Sequence, residues 1–207
     1  MPTIPKRRSM TWEVYPISMV NISLPNIANP SPNERICIVV YGNIASGKTT
    51  FSKALNELIP DYKLVNLDDY RLELNHPGQS FAWTDHMSKE RLTNELKETN
   101  LTIYESTGVT EFFYNAVQSI IPNTKMVYIH IQCPPDVCIN RYNQREQSGY
   151  KAIIPPNDLS TKEVINLLDT KYKAIKNDMT IVSGELNNMI NILCNRLNIK
   201  RVGGKNP

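Results

Sequence analysis

The segment VVYGNIASGKTTF, residues 39–51, restricts the chain more than any other stretch. Apolar, mostly β-branched residues run into Gly42, four spacer residues follow, and Gly47, Lys48 and Thr49 come next. A strand that gives way to a helix over so short a span needs backbone freedom at the turn, and the glycines supply it. Their curl aims successive N–H groups inward, with a helix N-terminus behind them, which makes a cradle for phosphate. In such a loop Lys48 reaches the β- and γ-phosphates and the Thr49 hydroxyl ligates magnesium. Gly42, Asn43, Ile44, Ala45, Ser46, Gly47, Lys48, Thr49 and Thr50 are therefore expected to hold ATP with Mg2+. The loop does not say whether a phosphate is passed on, or to what.

The rest of the chain keeps the same rhythm. Strand-like runs RICIVVYG, YKLVNL, LTIYES, KMVYIHIQC and DMTIVS alternate with helical stretches. Those stretches are KTTFSKALNELI, MSKERLTNELKET, TEFFYNAVQSII, PPDVCINRYNQREQ, STKEVINLLDTKYKAI and ELNNMINILCNRL. The alternation predicts crossover units: an α/β fold with a parallel five-stranded sheet and helices on both faces. Pro60 and Pro122 stop two of the helices, and a proline opens the fourth. NHPGQSFAWTDH is expected to be a polar loop, and no internal repeat is present.

With 207 residues the chain suffices for one such domain, expected over 35–200. Residues 1–34 are expected to be a partly flexible extension, and 201–207, RVGGKNP, a flexible tail. Within the extension TWEVYPISMVNI can dock on the domain, and Lys6, Arg7 and Arg8 are a basic cluster open to nucleic acid. A net charge of +3 does not itself demand a nucleic-acid partner, although a local basic channel would suffice for one. Cys37, Cys133, Cys138 and Cys194 lack the paired spacings of a zinc site. Cys37 lies in an apolar run, and with no secretion signal the expected setting is reducing and intracellular, in the cytoplasm. No apolar stretch approaches the roughly 20 residues that cross a bilayer, so no membrane partner is expected. Oligomeric state has no signature in the sequence.

The acceptor side starts at VNLDDYR. Asp68 is expected at the carboxyl end of the second strand, where sites of open α/β sheets gather. A carboxylate there can orient an acceptor hydroxyl and take its proton. If the chain then turns helical, Arg71 falls on the same face three residues on and suits an acceptor that also carries a phosphate. The plainer alternative is an Asp N-cap with an exposed surface pair, and Asp69 is read as the cap or a support. Glu105 ends LTIYES, where a carboxylate positions magnesium, its waters or a substrate hydroxyl. Arg141 and Arg145, one helical turn apart, match the charge that spreads over a phosphoryl group in transfer. Either can equally be a solvated arginine. Gly149 follows, in a stretch, EQSGYKAIIPP, that suits a lid.

Together, GNIASGKT, DDYR, YES and RYNQREQSGYKAIIP resemble the P-loop kinases of the phage-type polynucleotide 5′-hydroxyl kinase group, over about residues 36–176. The resemblance implies a P-loop kinase fold with a lid helix and ATP-dependent transfer to a polynucleotide hydroxyl, at a 5′ end or on a modified base. It implies Asp68 as general base, Arg71 on the acceptor's phosphate, Lys48 and Arg145 at the transition state, and Glu105 assisting. The chain departs from that group in having Glu105 where Asp is usual, a longer lid, and no phosphatase-like domain. GNIASGKTTF, YES and CPPDVCINRYNQRE also resemble deoxynucleoside kinases, which lack DDYR and usually carry a Glu-Pro motif there. A toxin-like P-loop kinase or nucleotide-dependent binding module is the third class. The acceptor remains open among nucleic acid, nucleoside and metabolite.

Overall fold

In the computed structural model, which describes residues 25–108, 123–149, 159–173, 175, 177–197 and 199, five strands form one sheet. They are β1 (Ile36–Gly42), β2 (Lys63–Asn66), β3 (Leu101–Ser106), β4 (Lys125–Gln132) and β5 (Met179–Val182), in the order β2-β3-β1-β4-β5. All four neighbouring pairs are parallel. The described helices are α1 (Lys48–Leu58), α2 (Leu67–Leu74), α3 (Phe81–Glu98), α4 (Pro135–Gln147), α5 (Thr161–Tyr172) and α6 (Leu186–Leu197).

β1 is buried along its whole length. A central parallel strand with both faces covered has to be an unbroken apolar run, which is why RICIVVYG shows no polar alternation. Cys37, Val39 and Tyr41 pack with Leu92 and Leu96 of α3 and Leu168 and Tyr172 of α5. Ile36, Ile38 and Val40 pack on the opposite face with Phe51 and Leu55 of α1 and Ile190 and Leu193 of α6. Each such side chain contributes about 1.5–3 kcal/mol when fully buried. The helices therefore lie on both faces of the sheet, as the alternation predicts. Ile27, ahead of β1, is also fully buried, and its carbonyl accepts a 3.1 Å hydrogen bond from the Tyr62 hydroxyl.

Parallel strands bring all their carboxyl ends to one rim, and register fixes their heights. Glu105 on β3 stands level with Val40 of β1 and Asn66 of β2. Two boundaries differ from expectation. β2 stops at Asn66 and α2 starts at Leu67, so Asp68 sits in the first turn of a helix, not on the strand. The Asn66 side chain accepts from the Asp68 N–H at 2.9 Å and is the cap, so neither Asp68 nor Asp69 fills that position. Asn is among the strongest N-caps, a signal that the carboxylates beside it obscured. α3 begins at Phe81, so the FAWTDH part of the expected loop is helical, capped by Ser80 through the Trp83 N–H. The expected helix TEFFYNAVQSII, the basic cluster Lys6, Arg7 and Arg8, residues 150–158 of the lid and the tail 201–207 lie outside the described residues.

Candidate active site

The phosphate loop is shaped by contacts that only small residues permit. A Cβ on Gly42 would stand 2.6 Å from the Ile131 carbonyl oxygen, so glycine lets the end of β1 lie against β4. Ala45 (φ 57) and Gly47 (φ 95) then turn the chain back, and Gly47 caps α1 in a left-handed conformation. Asn43 is an internal strut. Its Nδ2 donates to the Ile165 carbonyl at 2.9 Å, its Oδ1 accepts from the Ile44 N–H at 2.8 Å, and the residue is 2% exposed. Ile44 and Ala45 pack against Cys133, Cys138, Tyr142 and Ile165. The Ser183 hydroxyl, just past β5, donates to the Ser46 carbonyl at 2.7 Å. The Ser46 hydroxyl itself is fully buried and has no hydrogen-bond partner among the described residues. A buried hydroxyl without a protein partner inside such a loop fits a cradle completed by a ligand's oxygen.

Behind the loop the charged groups converge. Lys48 Nζ donates to the Asn43 carbonyl at 3.2 Å, and Thr49 Oγ1 donates to Glu105 Oε1 at 2.5 Å. Glu105 is 2% exposed, and burial pushes its carboxyl above the usual range. Lys48 and the Thr49 hydrogen bond oppose that shift, while Asp68 and Asp69 add to it. Lys48 and Thr49 open α1 after β1, Asp68 lies in the first turn of α2 after β2 and Glu105 lies in β3, so three neighbouring strands lead these groups to one rim. Asp69 is raised too, by burial first, against Lys53 and with Asp68 and Glu73.

Arg71 is not the exposed partner of a surface pair. Its side chain is 11% exposed, with Nη1 donating to Asp68 Oδ1 at 2.8 Å. Its Nε donates to Asp85 Oδ1 at 2.9 Å, and Nη2 donates to the same oxygen. Asp85 Oδ2 in turn lies 2.6 Å from Lys89 Nζ. Burial raises the Asp85 carboxyl, but hydrogen bonds from Lys89 and Arg71 outweigh it and the net direction is down. Asp68, with a side chain 52% exposed, is the most open member of this run, ahead of Lys89 at 35%.

Across β1, Arg141 and Arg145 of α4 line one cavity of about 230 Å³ together with Gly47, Thr50, Ser183, Gly184, Leu186 and Met189. Arg141 Nη1 donates to Ser183 Oγ at 2.9 Å and also approaches the Ser46 carbonyl (3.4 Å) and Cys133 Sγ (3.6 Å). The Cys133 thiol is lowered to about 6, first by a hydrogen bond from Cys138 and against burial, with Ser183 and Arg141 adding to the effect. Cys37, Cys133, Cys138 and Cys194 are buried and in no disulfide. Asp85, Lys89, Ser183 and Cys133 were not among the site residues expected from sequence. Ser183 directly follows a strand end, the position at which Asp68 and Glu105 were sought, so that signal could have found it. Asp85 was hidden by the misplaced start of α3.

The profile of a family described as AAA domain matches residues 38–166. The chain belongs to that AAA domain family. No curated protein matches this AAA domain significantly. Among solved structures, a chain of the Pnkp1/Rnl/Hen1 RNA repair complex is similar at TM-score 0.56 and 17% identity, over 70% of this chain and 46% of that one. The AAA domain protein therefore spans about half the length of that relative. A putative kinase from Chloroflexus aurantiacus is similar at TM-score 0.57 and 17% identity, over 81% of this chain and 98% of its own. The APS kinase CysC of Mycobacterium tuberculosis, solved with AMPPNP and APS, gives TM-score 0.52 and 12% identity over 81% and 99%. At these identities the shared property is the fold, that of P-loop kinases. Among the described residues no helix is long and apolar enough to cross a membrane.

Proposed function

We propose that this AAA domain protein is an ATP-dependent kinase that transfers the γ-phosphate to an acceptor hydroxyl on a polynucleotide, at a 5′-hydroxyl end or on a modified base. The kinase unit is taken as residues 35–200, with the nucleotide held by Gly42–Thr50 and Arg141. The observation that carries the reading is the half-exposed Asp68 carboxylate, fixed by Arg71 at 2.8 Å on the rim that also bears Lys48, Thr49 and Glu105. Asp68 takes the acceptor's proton as its oxygen bonds to the γ-phosphorus and the bond to the β–γ bridging oxygen breaks, leaving ADP.

Lys48 leaves the Asn43 carbonyl for the β- and γ-phosphates, and Arg145 meets the charge that develops on the transferring group. Arg141, already held by Ser183, orients the nucleotide. Magnesium shared with the phosphates would be held by Thr49 and Glu105, a donor set typical of Mg2+, which keeps one or two carboxylates and takes the rest from phosphate and water. Bound there, it supplies charge neutralisation to the phosphates. Burial raises the Glu105 carboxyl, with Asp68 and Asp69 adding to it, and a cation at this point would offset both.

A guanidinium has five N–H donors, and Arg71 spends three of them on Asp68 and Asp85. Among the described residues nothing accepts from the other two, which leaves them for a phosphate beside the acceptor hydroxyl and favours a polynucleotide. A second reading, a nucleoside or small-metabolite kinase, is favoured by one observation. Asp68, Arg71, Asp85 and Lys89 cancel in formal charge, so a neutral acceptor would also be tolerated. Incubation with γ-labelled ATP against 5′-hydroxyl DNA, 5′-hydroxyl RNA, free nucleosides and small metabolites separates the two. Label on the oligonucleotides is expected. Label on nucleosides or metabolites instead moves the assignment to the second reading, and no label anywhere overturns both.

A further inference from the structure

Asp85 and Lys89 of α3 have no part in the transfer chemistry above, yet they hold its acceptor residue. Arg71 is clasped on its Nε–Nη2 edge by a single oxygen of Asp85, whose other oxygen is 2.6 Å from Lys89. The opposite nitrogen, Nη1, is on Asp68 at 2.8 Å. The side chains of Arg71 and Asp85 are 11% and 17% exposed, so this clasp is covered, unlike an ordinary surface pair. An i,i+4 pair on an open helix surface would be worth little, but Asp85 and Lys89 are 17% and 35% exposed.

We infer that Asp85 and Lys89 determine acceptor specificity: Asp85 fixes the Arg71 guanidinium by one edge, and Lys89 cancels the charge of Asp85 so that an acceptor phosphate is not repelled. The argument is one of charge. Arg71 between Asp68 and Asp85 makes a triad of net charge −1, and a phosphodiester approaching it is opposed. Lys89 brings the group to zero, and the two unspent N–H donors of Arg71 then attract the phosphate. A free nucleoside brings no charge to be repelled or attracted, so Lys89 is indifferent to it. Asp85 is a positioning residue, acting through Arg71. The inference rests on the proposal that the acceptor hydroxyl docks beside Asp68.

The test compares wild type, Lys89→Met, Lys89→Arg and Asp85→Asn. Steady-state rates are measured with a 5′-hydroxyl dinucleotide, a free nucleoside and ATP, and binding of a fluorescent 5′-hydroxyl trinucleotide is followed by anisotropy without ATP. Lys89→Met should weaken trinucleotide binding and raise the dinucleotide KM roughly tenfold, the scale of one hydrogen bond to a charged group. Its kcat, its ATP KM and its nucleoside kinetics should stay at wild-type values, and Lys89→Arg should restore binding. Asp85→Asn, which loosens Arg71, should lower kcat for the dinucleotide as well. Equal losses with both acceptors, or unchanged trinucleotide binding in Lys89→Met, overturn the inference. A wild type that binds the trinucleotide but transfers no phosphate overturns the kinase proposal instead, and the anisotropy series still decides the role of Lys89.

Discussion

The two flanks of β1 hold their functional groups by different means. On the β4–β5 flank, Asn43, Ser46 and Ser183 are tied by short neutral hydrogen bonds, two of them to backbone carbonyls, and the loop they shape is buried. On the β2–β3 flank, Asp68, Arg71, Asp85 and Lys89 are joined by ion pairs, and the Asp68 carboxylate is half exposed. A nucleotide's phosphates have one geometry, so backbone serves to bind them. An acceptor is chosen from many, and side-chain charges on a helical pair can be altered without touching the sheet. The first flank is thus a fixed device and the second an adjustable one.

Three substitutions sharpen that contrast. The largest effect should come from Lys48→Ala, which removes the one cation of the loop while deleting a single 3.2 Å contact to the Asn43 carbonyl. Transfer should fall about a thousandfold, on the scale of losing one transition-state donor, with the melting temperature nearly unchanged. Stopped-time assays with γ-labelled ATP beside a thermal melt check this, and near wild-type transfer would remove Lys48 from the chemistry. Next, Asp68→Asn should lose about a hundredfold in kcat and retain ATP affinity, because the base acts only on the acceptor. If calorimetry finds ATP binding weakened in parallel, the flanks are not separable and the contrast fails. The smallest effect belongs to Asn43→Ala, which leaves the Ile165 carbonyl and Ile44 N–H without their side-chain partner. It should cost about 1–3 kcal/mol in urea unfolding and spare acceptor selectivity, whereas a change in selectivity would show the fixed flank reaching across β1.

Much of this was legible in the chain. Five parallel strands follow from apolar runs with no polar alternation, and the loop from its glycines, because both signals are local. The one-turn spacing of Arg141 and Arg145 implied a common helix face, and in the structure both line one cavity. What escaped was set by neighbours distant in sequence or by a boundary. The two-residue shift of α2 depends on Asn66 competing with two adjacent carboxylates for the cap. The clasp on Arg71 depends on Asp85 being helical, which a run containing Gly78, Ser80 and Trp83 does not announce. Ser183 closes on Ser46 from 137 positions away, a pairing that only the sheet order reveals.

That last closure bears on how the protein is made. Residues 42–49 leave the ribosome before the groups that brace them, since the Ile165 carbonyl and the Ser183 hydroxyl lie 122 and 137 residues further along the chain than their partners. A nascent chain carries its most recognisable motif unfinished until both have emerged, since contacts of such long sequence separation form only after their loop entropy has been met. Nucleotide capture therefore waits for segments made well after the loop itself. A ribosome-bound chain stalled before Ser183 emerges has the whole signature and lacks the clasp that shapes it.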